Sequence, residues 1–139
     1  MADSWEEVLP KRLEDVRSQF SDAHWSWDRR HRTALYITRL DGIDAKWEWL
    51  QGQLPEKWTS ETLKTAPHLR FLVERLKGLE PAQELISHTI DEEWVLFAAF
   101  WPWKDEDTVS IRVGAAALAE GWVETSDLEK ALREAMTSR

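Results

Sequence analysis

Four histidines, His24, His31, His68 and His88, are the first candidates in this sequence for proton transfer or metal binding. No two of them stand four residues apart, the spacing that aims two imidazoles at one ion from a helix face, so a metal site is not expected. His68 falls at the start of an expected helix, where packing or capping explains it as well as a general base does. His88, three residues before Asp91, is the better acid–base candidate, with His24 and Tyr36 as further ones. The chain has no glycine-rich phosphate loop, no His-Glu-x-x-His, no Gly-x-Ser-x-Gly and no divalent-metal loop. It also has no cysteine, which excludes disulfides, thiolate zinc sites and a cysteine nucleophile. No cofactor is expected, and no assigned catalytic residue.

Binding chemistry is better represented. Ten tryptophans in 139 residues is several times ordinary usage, and an indole suits a core, an interface or a stacking pocket. Trp94 and Trp122 stand in apolar settings and are expected in the core. Trp25, Trp27, Trp47 and Trp49 alternate with Ser and Glu, which predicts a common aromatic sheet face, covered by a helix or open to a partner. Trp101-Pro102-Trp103 precedes Asp105-Glu106-Asp107 and is the best candidate for an exposed aromatic anchor with a charged rim. The runs Asp91-Glu92-Glu93 and Asp105-Glu106-Asp107 bracket one hairpin; six carboxylates sharing a neighbourhood would suit a basic partner or a hard cation, although polar turns are the simpler reading and calcium is disfavoured without a glycine-containing ligand loop. Arg29-Arg30-His31-Arg32 is the one basic cluster, read as a solvated turn in preference to a phosphate site.

These residues need elements to hold them. Ser4 and Glu7 have capping-box spacing, and Trp5, Val8, Leu9, Leu13, Val16 and Phe20 recur at helical intervals, with Pro10 leaving the start of that helix open. From Ala23 to Gln51 the period changes to two, predicting a three-strand meander with Asp41-Gly42 as a hairpin turn. Pro67 opens a central helix with Leu69, Leu72, Val73, Leu76 and Leu79 on one stripe, ended by Gly78. Glu80 to Ile90 is ambiguous, with Pro81 able to open a short helix. Glu93 to Trp103 is apolar on both alternating sets, hence a strand buried on both faces, and Val109, Ile111 and Val113 form its returning partner. Gly114 to Gly121 reads as a short alanine-rich helix, and Ser126 with Glu129 opens a last helix carrying Leu128, Leu132 and Met136. The expected architecture is a single α+β domain over residues 1–139: an antiparallel sheet of about five strands with N-terminal, central and C-terminal helices packed on it.

The segment His68-Leu69-Arg70-Phe71-Leu72-Val73-Glu74-Arg75-Leu76, with the hairpin and Ala116-Ala117-Leu118-Ala119-Glu120-Gly121 after it, resembles an uncharacterised family of small bacterial domains over about residues 67–121. That family has no assigned activity, so the resemblance implies no functional residue. In size, acidity and element order the chain also looks like the small acidic chaperones of bacterial secretion systems.

Hydrophobic residues at 42% and charged residues at 32% describe an ordinary globular chain, and the formal charge of −8 disfavours nucleic acid as a partner. The N-terminus lacks the basic start and apolar stretch of a secretory signal, and the longest apolar run, Trp94 to Trp103, is about half of a bilayer span, so a cytoplasmic protein without membrane contact is expected. The function these features predict is a small acidic protein-binding protein of the immunity-protein, inhibitor or dedicated-chaperone type. Its contact residues are expected among Trp101, Trp103, Asp105, Glu106, Asp107, Trp25, Trp27, Trp47 and Trp49, and its partner is a basic protein or a second copy of the chain. The alternative is a small-molecule binding protein or enzyme with a Trp-lined pocket, in which His24, His88, Tyr36 or a carboxylate moves a proton.

Overall fold

A computed structural model describes residues 4–76, 79–80, 82–118 and 123–137. In chain order the elements are α1 (Trp5–Gln19), β1 (Ser26–Asp28), β2 (Thr33–Arg39), α2 (Asp44–Gln53), β3 (Glu56–Trp58), α3 (Ser60–Leu63), a 3-10 turn at Pro67–Leu69, α4 (Arg70–Arg75), β4 (Glu84–Ile90), β5 (Trp94–Pro102), β6 (Thr108–Ala117) and α5 (Thr125–Thr137). The strands form one antiparallel sheet in the order β1-β2-β6-β5-β4-β3, so the long β5–β6 hairpin is its spine. The expected α+β class and antiparallel sheet are found, with six strands.

Both faces of this sheet are covered, unequally. Strand alternation sends Trp94, Leu96, Ala98 and Phe100 of β5 and Val109, Ile111, Val113 and Ala115 of β6 to one side, where they meet Leu9, Leu13 and Val16 of α1, Trp47 and Leu50 of α2, and Leu128, Leu132 and Met136 of α5. Val95, Phe97 and Ala99 face the other way, against Leu63, Leu69, Leu72 and Leu76 of the α3–α4 region. Burial of β5 on both faces is what its unbroken apolar sequence predicts. The helical layer of this second side packs on the β3–β4–β5 half, whereas Ile37 of β2, on the same side, is 49% exposed.

The sequence reading fails at several boundaries, each for a physical reason. Residues 44–53 are α2 and not a third meander strand: Ile43, Trp47, Leu50 and Leu54 are buried at spacings of four, three and four, a helix stripe that overrides the apparent alternation of Trp47 and Trp49. Asp41-Gly42 therefore turns a strand into a helix, with Gly42 at a φ of 85°. Residues 114–117 continue β6 and are not helical. Gly114, Ala115, Ala116 and Ala117 lie opposite Phe97, Leu96, Val95 and Trp94, and small residues are what room beside such bulk demands. Glu84 to Ile90 is a strand, β4. Helix α1 runs through Pro10, which sits on its exposed side where water can serve the carbonyl left without a donor. Neither capping box forms as expected: the Ser4 side chain makes no cap bond, and α5 starts at Thr125, whose Oγ1 accepts from the Ala117 N–H at 3.0 Å. The readings of Gly78, Pro81, residues 119–121 and Trp122 lie outside the described residues.

Candidate functional site

The β5–β6 turn organises the neighbourhood that the sequence singles out. Asp105 Oδ1 accepts from the Asp107 and Thr108 backbone N–H groups, both at 2.9 Å, and Oδ2 accepts from Thr108 Oγ1 at 2.7 Å. The Thr108 hydroxyl first, then the backbone donors, hold the Asp105 carboxyl below its ordinary value. Asp105 is thus the builder of the turn, and Glu106 follows it in the left-handed region at a φ of 64°. Glu106 and Asp107 line a cleft of about 550 Å³ together with Asp41, Asp44 and Glu84. Leu40, Trp47, Phe100 and Pro102 supply its apolar lining, and Arg39 is its one cation among the described residues. Trp47 packs on Phe100 with ring centroids 5.1 Å apart, and the Leu40 N–H donates to the Asp107 carbonyl at 2.7 Å, tying the β2–α2 connection to the turn. None of the five carboxylates is in an ion pair among the described residues.

Asp41, Asp44 and Glu84 are members of this cleft that sequence reasoning missed. Reading Ile43, Trp47, Leu50 and Leu54 as a helix stripe would have placed Asp44 in the first turn of that helix. The run Asp91-Glu92-Glu93 does not join them, since it precedes β5 while Asp105 to Asp107 follow it, about 30 Å away at ordinary strand rise.

Trp101 and Trp103 lie on the opposite side of the sheet from this apolar lining. Trp101 is paired across strands with Ser110 and roofed by Arg112, whose Cζ is 4.5 Å from its ring centroid, with the His31 ring edge-on at 5.5 Å. Arg112 is held in turn by Asp28, which also accepts from His31 Nδ1 at 2.9 Å. Trp101 therefore already carries an internal cation. Trp103 donates from Nε1 to Ser110 Oγ at 2.8 Å and is 46% exposed. Ile37 pairs with the same Ser110 across β2–β6, so Trp103 and Ile37 flank one residue on the open part of the sheet. Of the other candidate tryptophans, Trp25 and Trp47 are buried, and Trp27 and Trp49 pack half-buried against the same core, so among the described residues Trp103 is the exposed tryptophan.

The acid–base candidates do not converge. His24 is exposed before β1, while Tyr36 packs against Phe20 and Trp25 with ring centroids at 6.1 and 5.5 Å. His88 is three strands from Tyr36, about 14 Å at ordinary spacing. Arg12 Nη2 lies 3.2 Å from His88 Nδ1 and has only donors, so this nitrogen accepts and the ring is neutral with its proton on Nε2. Burial first, then the charge of Arg12, push the His88 pKa down, with Glu56 opposing. The enclosed space beside Arg12, between α1, α2 and the sheet, is about 10 Å³, room for at most one water. Among the described residues no His, Asp and Glu side chains cluster as a metal ion requires, and no helix is long and apolar enough to cross a membrane.

No family model matches the chain, and neither a curated protein nor a solved structure matches it. The resemblance over residues 67–121 accordingly carries no family assignment.

Proposed function

We propose that this chain is a small acidic protein-binding protein, of the kind represented by immunity proteins, inhibitors and dedicated chaperones, whose partner presents clustered Lys or Arg side chains. The observation that carries this reading is the cleft at the β5–β6 turn, where, among the described residues, five carboxylates outside any ion pair stand with one guanidinium around an apolar lining. A cationic segment would neutralise that wall while its alkyl stems lie along Leu40, Phe100 and Pro102. Among the described residues no three carboxylates gather as a single metal ion requires, which suits several separate charges better than one ion. The overall charge of −8 steers the same partner in from a distance. A second copy of the chain would bring charge of the same sign, which argues against a homodimer through this cleft.

The test is capture from the source cell by the immobilised chain, at low and high salt, in wild-type form and with Asp44→Lys plus Asp107→Lys. Recovery of a basic protein that falls with salt and is lost on charge reversal is expected. Equal recovery by a charge-reversed chain that melts like the wild type would remove the cleft from consideration.

A further inference from the structure

At the other end of the molecule the β1–β2 turn, the last turn of α4 and the first turns of α5 meet around a second depression, of about 350 Å³. Arg30, Arg32 and Arg75 line it with Phe71 and Glu74. Three guanidiniums in one depression are anomalous in a chain of this net charge, and the deepest of them is incompletely served. The Arg75 side chain is 7% exposed, and its Nε and Nη1 are buried without a hydrogen-bond partner among the described residues. Its counter-charge is Glu129, whose Oε2 lies 3.5 Å from Arg75 Nη2 and 3.7 Å from Arg32 Nε. Those contacts are ion pairs without hydrogen-bond geometry, because the same Oε2 is also left without a hydrogen-bond partner.

Leaving donors of a buried cation unmet is costly and calls for an explanation, a bound anion among them; Arg75 Nε and Nη1 are closed to solvent here, so an anion in the depression meets Arg30 and Arg32 first and reaches those two donors through a shift of the Arg75 side chain. Burial first, then the charge of Arg32, press the Arg75 pKa down, with Glu129 opposing. Among the described residues the three guanidiniums face two carboxylates, Glu74 and Glu129. Arg32 reaches its position from a left-handed backbone at a φ of 55°, a conformation that side-chain-bearing residues seldom adopt. Asp28 stabilises this turn by accepting from the Arg30 N–H at 2.9 Å. Phe71, with Arg75 over its ring at 5.4 Å, gives the depression an apolar wall.

We infer that Arg30, Arg32 and Arg75 form a binding site for a phosphate monoester, the phosphoryl oxygens taking the guanidinium donors and the organic part lying on Phe71. Phosphate is favoured over a carboxylate because three forked cations offer more donors than two oxygens can use, whereas a phosphoryl group has three acceptor oxygens and a charge near −2. The site is distinct from the acidic cleft, and nothing in the reading of that cleft depends on it.

The experiment is calorimetric titration at fixed ionic strength with inorganic phosphate, free phosphoserine and a short phosphoserine peptide, with acetate and chloride as controls. Saturable binding of the phosphates and none of acetate is expected. Arg30→Gln with Arg32→Asn should weaken it by about tenfold or more, the loss expected when charge-assisted donors are removed. Asparagine is chosen because it tolerates the left-handed backbone of Arg32. Glu129→Gln should act the other way and tighten binding about threefold or more, since it removes the competing negative charge. Arg75→Gln is avoided because its burial would confuse binding with folding. Free phosphoserine binding as well as the peptide assigns the phosphate to a small molecule, and a clear preference for the peptide assigns it to a modified protein. Phosphate no better than acetate, or phosphate binding unchanged in the Arg30–Arg32 variant, would overturn the site.

Discussion

Phe97 of β5 lies directly across from Gly114 of β6, so close that a Cβ added to the glycine would fall within 3.0 Å of three atoms of the Phe97 ring. The ring is fully buried among Leu63, Leu69, Leu72 and their neighbours and cannot swing away. Gly114→Ala is therefore expected to destabilise the chain by about 1–3 kcal/mol, the usual cost of overpacking a filled core. Phe97→Leu should be costly alone yet partly rescue Gly114→Ala. A double-mutant cycle in urea checks this: additive losses would mean that the ring is not the obstacle.

Asp28 gives a pH-dependent prediction. Burial alone would raise its pKa, but hydrogen bonds from the His31 and Arg112 side chains, the charge of Arg112 and the His31 backbone N–H bring it down from 3.8 to about 2. A carboxyl depressed in the folded state stabilises the fold fully above its unfolded value, and that stabilisation is lost as pH falls through about 2. Asp28→Asn should cost about 2 kcal/mol at pH 7, since it leaves the largely buried Arg112 short of a charged acceptor. Urea curves of variant and wild type should approach one another as the medium is acidified from pH 4 toward 2. A gap that persists unchanged at acid pH would show that the charge of Asp28 is not what matters.

The last helix carries a third prediction. Leu128, Leu132 and Met136 of α5 are all buried, and Arg17 Nη1 of α1 donates to the Ala135 carbonyl at 2.8 Å, so α5 is docked on both α1 and the sheet. Leu132→Ala should cost about 2–4 kcal/mol and lower the melting temperature by on the order of 10 °C. An unchanged melt would show α5 to be peripheral.

How much of this was legible in the sequence varies with the signal. The strand buried on both faces, the returning strand and the amphipathic last helix were legible because their periodicity is undisturbed. The failure at residues 44–53 has a plain cause: Trp47 and Trp49 are bulky enough to impose an apparent alternation, while the helix period is carried by Ile43, Leu50 and Leu54 together with Trp47. The alanines after Gly114 misled in the opposite way, because helix propensity was read where the neighbours Trp94 and Phe97 required small residues on a strand. Two of the five carboxylates of the acidic cleft were legible in the β5–β6 turn, Glu106 and Asp107. Asp41, Asp44 and Glu84 were not, because they come from the β2–α2 connection, the start of α2 and the start of β4, which only the sheet order brings to the same end.

Trp103 tests the proposed binding role from the side of the sheet opposite the cleft's apolar lining. Its ring is nearly half exposed, is fixed by one hydrogen bond to Ser110 and neighbours the exposed Ile37, whereas Trp101 is already occupied by Arg112. An aromatic anchor of this kind beside charged groups is the usual composition of an energetic interface centre, with the charges acting mainly on encounter. Trp103→Ala is expected to weaken partner binding by about 2 kcal/mol or more while leaving the melt close to that of the wild type. Glu106→Asn removes a cleft charge and keeps a residue that accepts the left-handed backbone there, so it should slow association and flatten its salt dependence with little effect on dissociation. Asp105 is the wrong residue for that measurement, because its carboxylate holds the turn through Asp107 and Thr108 and its loss would disturb both faces. If Trp103 were instead a packing residue, Trp103→Ala would melt many degrees lower and bind normally once the unfolded fraction is allowed for. Parallel melting and association kinetics on the two variants separate these outcomes, and a normal affinity for Trp103→Ala would exclude the open part of the sheet from the interface.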